Sequence, residues 1–451
     1  MTHFVATRNA CKLCTPLGAA LVFKGIEGAI AILHGSQGCS TYIRRYLISH
    51  FREPVDIASS NFSEESAVFG GGKNLREALG NVAAQYHPRL IGVATTCLSE
   101  TIGEDVPGIL RLIPDDSLEG NPVLVHVATP SYSGSHAQGF LAAVRAVVER
   151  LAGSRRFADN GRQVNIFPGL CSPADLRYLK DVALDFGLSP VLLPDYSQTL
   201  DGPAWSEYHP LPQGGTSIDA IASMGCSMAS LTLGRVACLD PEKTAGDFLH
   251  SGFNVRHYPL GIPVGIRETD ELMQAFESIS GVPLPEKYAL ERGRLVDALI
   301  DGHKYVFAKK AVVYGEEDLV AGMAAFLAEM GMIPVLCVSG GKSGNLRRLI
   351  QERMPDLMGK IEIAEDEDFA GMDEMAQRLE PDIVIGGSKG YQSARKLKVP
   401  MVRIGFPIHD RIGGQRVLHY GYHGALELYD KIVNALLEKK QDDSDTGYSY
   451  L

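Results

Sequence analysis

Short apolar runs alternate with segments of helical spacing along this chain, which predicts an α/β protein with parallel sheets in three Rossmann-like units. Runs such as Ala29-Ile30-Ala31-Ile32-Leu33 and Leu90-Ile91-Gly92-Val93-Ala94-Thr95 lack polar alternation, as strands covered on both faces do. Residues 73–86 and 138–152 instead carry apolar side chains at helical spacing. The length of 451 residues suits three domains of roughly 150 residues each. The expected bounds are 1–158, 159–290 and 291–451.

In the first unit the strands are expected at 29–33, 90–95 and 123–128, and turns at Gly153-Ser154 and Asp159-Asn160-Gly161 end it. The second opens with the strand Val164-Asn165-Ile166-Phe167. A helix then starts at Ser172-Pro173-Ala174-Asp175, where serine caps and proline suits the first turn. The strand Pro190–Pro194 and a Gly- and Pro-rich loop over 196–216 follow, and the unit ends near residue 265. Residues 266–304 read as mostly helical. The third unit reads Ala311–Gly315 as strand, 317–330 as helix, 333–338 as strand, a helix after Gly340-Gly341-Lys342-Ser343, then strands at 382–385 and 401–404. That glycine run is not a phosphate loop, because the first glycine of the pattern would fall on Leu336. The tail Lys439–Asp445 reads as polar and solvated.

A net charge of −11 argues against a general nucleic-acid surface. No apolar stretch reaches the roughly 18 residues of a membrane span. The start, Met1 to Arg8, lacks the apolar core of a signal peptide, so a cytoplasmic protein is expected. Eight cysteines in so long a chain do not suggest a disulfide framework. Cys238 and Cys337 sit in apolar segments and read as small buried hydrophobes.

Three cysteines stand apart. Cys39 follows the first strand through His34-Gly35-Ser36-Gln37-Gly38, a turn whose glycines let the backbone approach a neighbour closely. Cys97 closes the strand 90–95, and Cys14 opens Cys14-Thr15-Pro16-Leu17-Gly18-Ala19. Ligands in doubly wound sheets sit beyond the carboxyl ends of strands, and thiolates there suit an iron–sulfur cluster. The spacing matches no short ferredoxin or zinc pattern, so unrelated buried thiols are the alternative. Cys11 makes a Cys11-Lys12-Leu13-Cys14 pair without a preceding strand, and reads as a neighbour of the site.

The run from Cys14 to Glu104 resembles the β-type subunit of nitrogenase component 1 and its nitrogenase-like relatives. It does so through the two motifs above, His50-Phe51-Arg52-Glu53-Pro54, Ser63–Gly71, Thr95-Thr96-Cys97-Leu98-Ser99-Glu100 and Thr129–His136. The likeness resumes at Glu291–Asp297 and Arg403-Ile404-Gly405-Phe406-Pro407. It implies the nitrogenase component 1 fold. It also implies a P-cluster-type iron–sulfur cluster shared with a homologous α-type partner, with Cys14, Cys39 and Cys97 as this chain's ligands and Ser131 as an added oxygen ligand. No catalytic residue is expected here, since the substrate cluster belongs to the partner.

By the same resemblance Tyr42 lies on the electron relay and Phe69 where an ATP-dependent iron–sulfur reductase docks. For these two the alternatives are a packing residue and an ordinary core residue. Glu53, Asp297 and Asp301 match ligands of an inter-subunit Ca, Mg or Fe ion in an α₂β₂ assembly; otherwise Asp297 and Asp301, one helical turn apart, are a solvated acidic face. Cys11 and Ser40-Thr41-Tyr42-Ile43-Arg44-Arg45 look closer to nitrogenase-like chains, with methylthio-alkane reductase the leading candidate. A dinitrogen-reducing nitrogenase is the second reading. Leu193-Pro194-Asp195, Leu200-Asp201-Gly202 and Gly214-Gly215-Thr216 resemble cofactor-assembly scaffolds, a third reading that the presence of all three cysteines disfavours.

Overall fold

The computed structural model describes residues 11–114, 117–153, 161–240 and 243–446. The expected turn residues Ser154, Asp159 and Asn160 lie outside them. Among the described residues thirteen strands form three sheets. The first holds β1 (Ala29–His34), β2 (Ile57–Ser59), β3 (Leu90–Thr95) and β4 (Val123–Val127), in the order β2-β1-β3-β4. The second holds β5 (Gln163–Phe167), β6 (Ser189–Leu192), β7 (Ala229–Leu233) and β8 (Arg256–Leu260), in the order β6-β5-β7-β8. The third holds β9 (Lys310–Gly315), β10 (Ile333–Ser339), β11 (Glu362–Ala364), β12 (Ile383–Gly386) and β13 (Met401–Arg403), in the order β11-β10-β9-β12-β13. Pairing is parallel: Ala31 faces Ile57, Val164 faces Ala229 and Val312 faces Val384. The α/β fold with three parallel sheets is as the sequence predicts.

Packing explains the apolar runs. All six residues of β1 and of β3 are buried. Ile30, Ile32, Ile91 and Val93 pack against Leu75, Leu79 and Val82 of the Gly72–Tyr86 helix. Each such side chain contributes about 1.5–3 kcal/mol by leaving water. In the third sheet Val312, Leu336, Val338 and Val384 pack with Phe369 and Met372.

By contact density the chain forms two compact units. One comprises Leu13–Leu233 and Asp240–Pro259, with the first two sheets; the other contains Cys11, Lys12, Gly234–Leu239 and Leu260–Leu451. The break near 265 expected from composition is thus threaded, because Gly234–Leu239 is held by the second unit: Val236 N–H donates to Asp318 at 2.7 Å. Two local expectations hold and gain detail. The helix after Gly340–Ser343 starts only at Leu346, since Ser343 is held by Glu317. The tail from Lys439 is helical as far as Asp442, with mostly exposed side chains. Among the described residues no helix is long and apolar enough to cross a membrane.

Candidate metal centre at the carboxyl edge of the first sheet

Strand order in the first sheet reverses at β1, so the loops after β1 and β3 diverge and open a crevice. The cysteines gather there, each at the start of a helix. Cys14 precedes the Thr15–Lys24 helix as its cap residue. Cys39 lies in the first turn of the Gln37–Phe51 helix, which Ser36 caps. Cys97 is the first residue of the Cys97–Thr101 helix, where Thr96 N–H donates to Ser99 Oγ at 3.0 Å. Of the turn glycines it is Gly35 that approaches closely: a Cβ there would come within 2.0 Å of Thr96 Oγ1, whereas Gly38 has room.

Ser131, in the loop after β4, ties two of these positions together. Its N–H donates to Cys97 Sγ at 3.2 Å, and its Oγ accepts from Thr15 N–H, next to Cys14, at 3.1 Å. All three thiols and Ser131 are half-buried. Burial pushes the Cys39 thiol up, and the charges of Cys14 and Cys97 push it further. Three thiolates brought together repel one another, so the set favours a cation among them; soft sulfur donors select iron, copper or zinc over calcium. The positive ends of helix dipoles favour the anionic form. Among the described residues no group of three or more His, Cys, Asp or Glu side chains has by itself the arrangement of a metal site. The donor chemistry therefore fits one side of a sulfur-ligated metal group.

The remaining expected residues separate. On the Gln37–Phe51 helix Ser40, Ile43, Leu47 and His50 are buried, leaving Cys39, Tyr42 and Tyr46 on an adjoining face. Tyr42 is half-exposed, its ring 4.8 Å from Tyr46. Burial raises its hydroxyl pKa, followed by Tyr46 and then the Cys14 charge. Phe69 is 84% exposed, which rules out the core alternative. It borders an open hollow of about 690 Å³ with Lys73, Glu104, Asp105, Arg111 and Leu112.

Asp297 and Asp301 are exposed on the Glu286–Asp301 helix, while half-buried Glu53 belongs to the other compact unit. Cys11 packs against the third-sheet core, its N–H donating to Glu367 O at 3.2 Å. It thus belongs to a different compact unit from Cys14. Burial, then Glu367 and Asp368, push its thiol up to about 12. Burial likewise takes Cys337 and Cys238 to about 12.

Sequence reasoning missed the polar hub beneath the thiols. His34, at the end of β1, is fully buried; its Nδ1 lies 3.0 Å from Ser60 Oγ and its Nε2 3.3 Å from Glu104 Oε2. Burial lowers the His34 pKa, with Glu104 opposing, so the ring is neutral at pH 7. A histidine ending an apolar strand carries no mark in sequence of a partner so distant along the chain.

A model of the family described as Nitrogenase component 1 type Oxidoreductase matches residues 14–437. The nitrogenase molybdenum-iron protein beta chain of Clostridium pasteurianum is 35% identical over 433 residues, 96% of this chain and 93% of that one. The corresponding chain of Methanococcus maripaludis is 34% identical over 456 residues, 98% of this chain and 96% of that one. A solved structure of nitrogenase Cp1 at pH 6.5 superposes with a TM-score of 0.92 at 32% identity, over 100% of this chain and 98% of its own. The chain therefore belongs to the nitrogenase component 1 type oxidoreductases, as a β-type chain and a subunit of such an enzyme.

Proposed function

We propose that this chain is the β-type subunit of a cytoplasmic, nitrogenase-like, ATP-dependent two-component reductase. In this reading Cys14, Cys39 and Cys97, with the Ser131 hydroxyl beside them, hold a P-cluster-type iron–sulfur cluster together with thiolates of a homologous α-type partner. The observation that carries it is the convergence of three half-buried thiols, from three helix starts, on one sheet edge. Such a cluster supplies one-electron storage on the way to the partner's catalytic cluster. The chain's own part is to present anionic sulfur at helix N-termini, to exclude water behind it with the buried first sheet, and to fix Ser131 against Cys97. Tyr42 packs on the open side towards the partner, and Phe69 anchors the reductase as an exposed aromatic.

For the substrate we propose methylthio-alkanes, on the strength of Cys11 and Ser40–Arg45. Dinitrogen is the second reading, favoured by the names of the relatives. The test is anaerobic co-purification with the α-type partner, then turnover with reductase and ATP. Redox-dependent EPR signals with thiol release from a methylthio-alkane support the first reading, and ammonia alone supports the second. Absence of both iron and turnover leaves only the assembly-scaffold role.

Glu53, Asp297 and Asp301 complete the proposal as ligands of a cation joining two β-type chains in an α₂β₂ assembly. Asp297→Asn/Asp301→Asn should lower the mass seen by light scattering, as a chelator should with the unaltered protein. A mass unmoved by either leaves these carboxylates as an acidic helix face.

A further inference from the structure

The hub under the thiols connects three places. The Ser60 oxygen accepts from Gly35 N–H at 2.9 Å, so its own O–H is free to donate to His34 Nδ1. Nε2–H of the neutral ring then donates to Glu104 Oε2, and Glu104 Oε1 accepts from Gly71 N–H at 2.6 Å. The His34 carbonyl accepts from Thr96 N–H at 3.2 Å and from Ser99 Oγ–H at 2.8 Å, on either side of Cys97. Gly35, in turn, leads through Ser36 into the helix that carries Cys39.

Gly71 is two residues from Phe69 and follows Gly70, whose φ of 94° turns the chain there. A second contact grips the same turn. The Phe62 ring stands edge-on to His34 with centroids 4.8 Å apart, and a Cβ on Gly71 would come within 2.2 Å of it. The Glu104 side chain is 8% exposed, yet it borders the hollow beside Phe69. One carboxylate therefore holds the rim of the exposed hollow with one oxygen and the buried hub with the other.

We propose that Glu104 is the positioning residue through which occupancy of the Phe69 surface reaches the thiols: it ties the Gly70–Gly71 turn to His34, and His34 ties the Cys39 and Cys97 helices to each other. This rests on the docking reading of Phe69. A close-packed interior responds to a shift at its edge by repacking as a unit, so displacement of the turn moves the two helix starts together.

The test uses the anaerobically prepared complex with its reductase partner and ATP. In Glu104→Gln the charge is lost and the amide can accept at only one of the two positions. Either Gly71 N–H then loses its partner, or the His34 ring must take the other tautomer and reverse its bond to Ser60. Half-saturation in reductase should stay within about twofold of the unaltered complex while saturated turnover falls about tenfold, with iron content intact. Phe69→Ala should do the reverse, raising the half-saturating concentration and sparing the saturated rate. Unaltered saturated turnover in Glu104→Gln, or a loss that merely follows lost iron, overturns the proposal. An unmoved half-saturation in Phe69→Ala overturns the docking reading itself, whatever Glu104→Gln does. Should Glu104→Gln fail to assemble, Ser60→Ala carries the same test, because it frees His34 Nδ1 and leaves the carboxylate in place.

Discussion

The carboxyl edges of the first and third sheets have the same topology and opposite contents. In each, strand order reverses at the first strand, opening a crevice of the kind that takes ligands in doubly wound sheets. In the third sheet the chain fills that edge itself. Cys11 and Lys12 lie against Gly340, where a Cβ would come within 2.5 Å of Lys12 N. Lys12 Nζ meets Asp366 at 2.8 Å, Lys342 reaches the same carboxylate at 3.7 Å, and Glu317 accepts from Ser343 Oγ at 2.6 Å. In the first sheet the edge is left to three half-buried thiols, whose anionic forms would repel one another. A Rossmann-like crevice is thus a place and not a function; what the chain lays across it decides whether it binds.

The contrast can be broken most sharply at the cysteines. Cys39→Ala and Cys97→Ala should each lower iron content and reductase turnover by more than about tenfold, since even outer partners of metal ligands commonly cost 10–100-fold. Cys11→Ala should leave both near their starting values, because that thiol is partly buried against the third-sheet core. Iron analysis and turnover of the three variants side by side check this; equal behaviour of Cys11 and Cys39 erases the distinction between the two edges.

The plugged edge is tested at Gly340. Gly340→Ala forces a methyl into the Cys11–Lys12 backbone and should destabilise the protein by about 1–3 kcal/mol. Alkylation of Cys11 should quicken as the segment lifts, and thermal denaturation gives the energy. Unchanged melting and labelling would mean that the segment is not held there.

An effect of comparable size and opposite sign is expected in the helix that follows Cys14. Lys24 is 4% exposed, and burial lowers its pKa from 10.5 to about 8 against the pull of Asp56. The folded state binds fewer protons than the unfolded between those values, so stability rises with pH across that window. At neutral pH the buried ammonium is a cost, and Lys24→Met should raise stability by about 2 kcal/mol. The gain should shrink as pH climbs from about 8 towards 10.5. A variant that melts lower at pH 7 would assign Lys24 a stabilising contact.

The two edges also differ in how much of each was legible in sequence. The strands β1 and β3, buried throughout, and β9 and β10, buried except at their ends, announce themselves as apolar runs because both faces are covered. The Thr15–Lys24 helix does not: all ten residues are buried, which leaves no polar stripe and no helical period to detect. β2, three residues long, is too short for any pattern. The thiols were legible from motif and position, and the exposure of Phe69 only from structure. His34 and Glu104 lie 70 positions apart, so their contact depends on the pairing of β1 with β3 and on the turn after Cys97. The plug is hidden for the same reason, since Lys12 meets Asp366 across 354 positions.

The scattering of the thiols has a consequence for how the protein is made. Cys14, Cys39 and Cys97 share no local chelating sequence, and they meet only once β1 and β3 have paired in register from Ala29 opposite Leu90 to His34 opposite Thr95. A nascent chain thus offers a passing metal ion no ready grip, unlike a zinc finger, which the metal itself folds. If these thiols hold the proposed cluster, its loading comes late in biogenesis, on a finished scaffold. Chelation should then strip the metal and leave the first sheet standing.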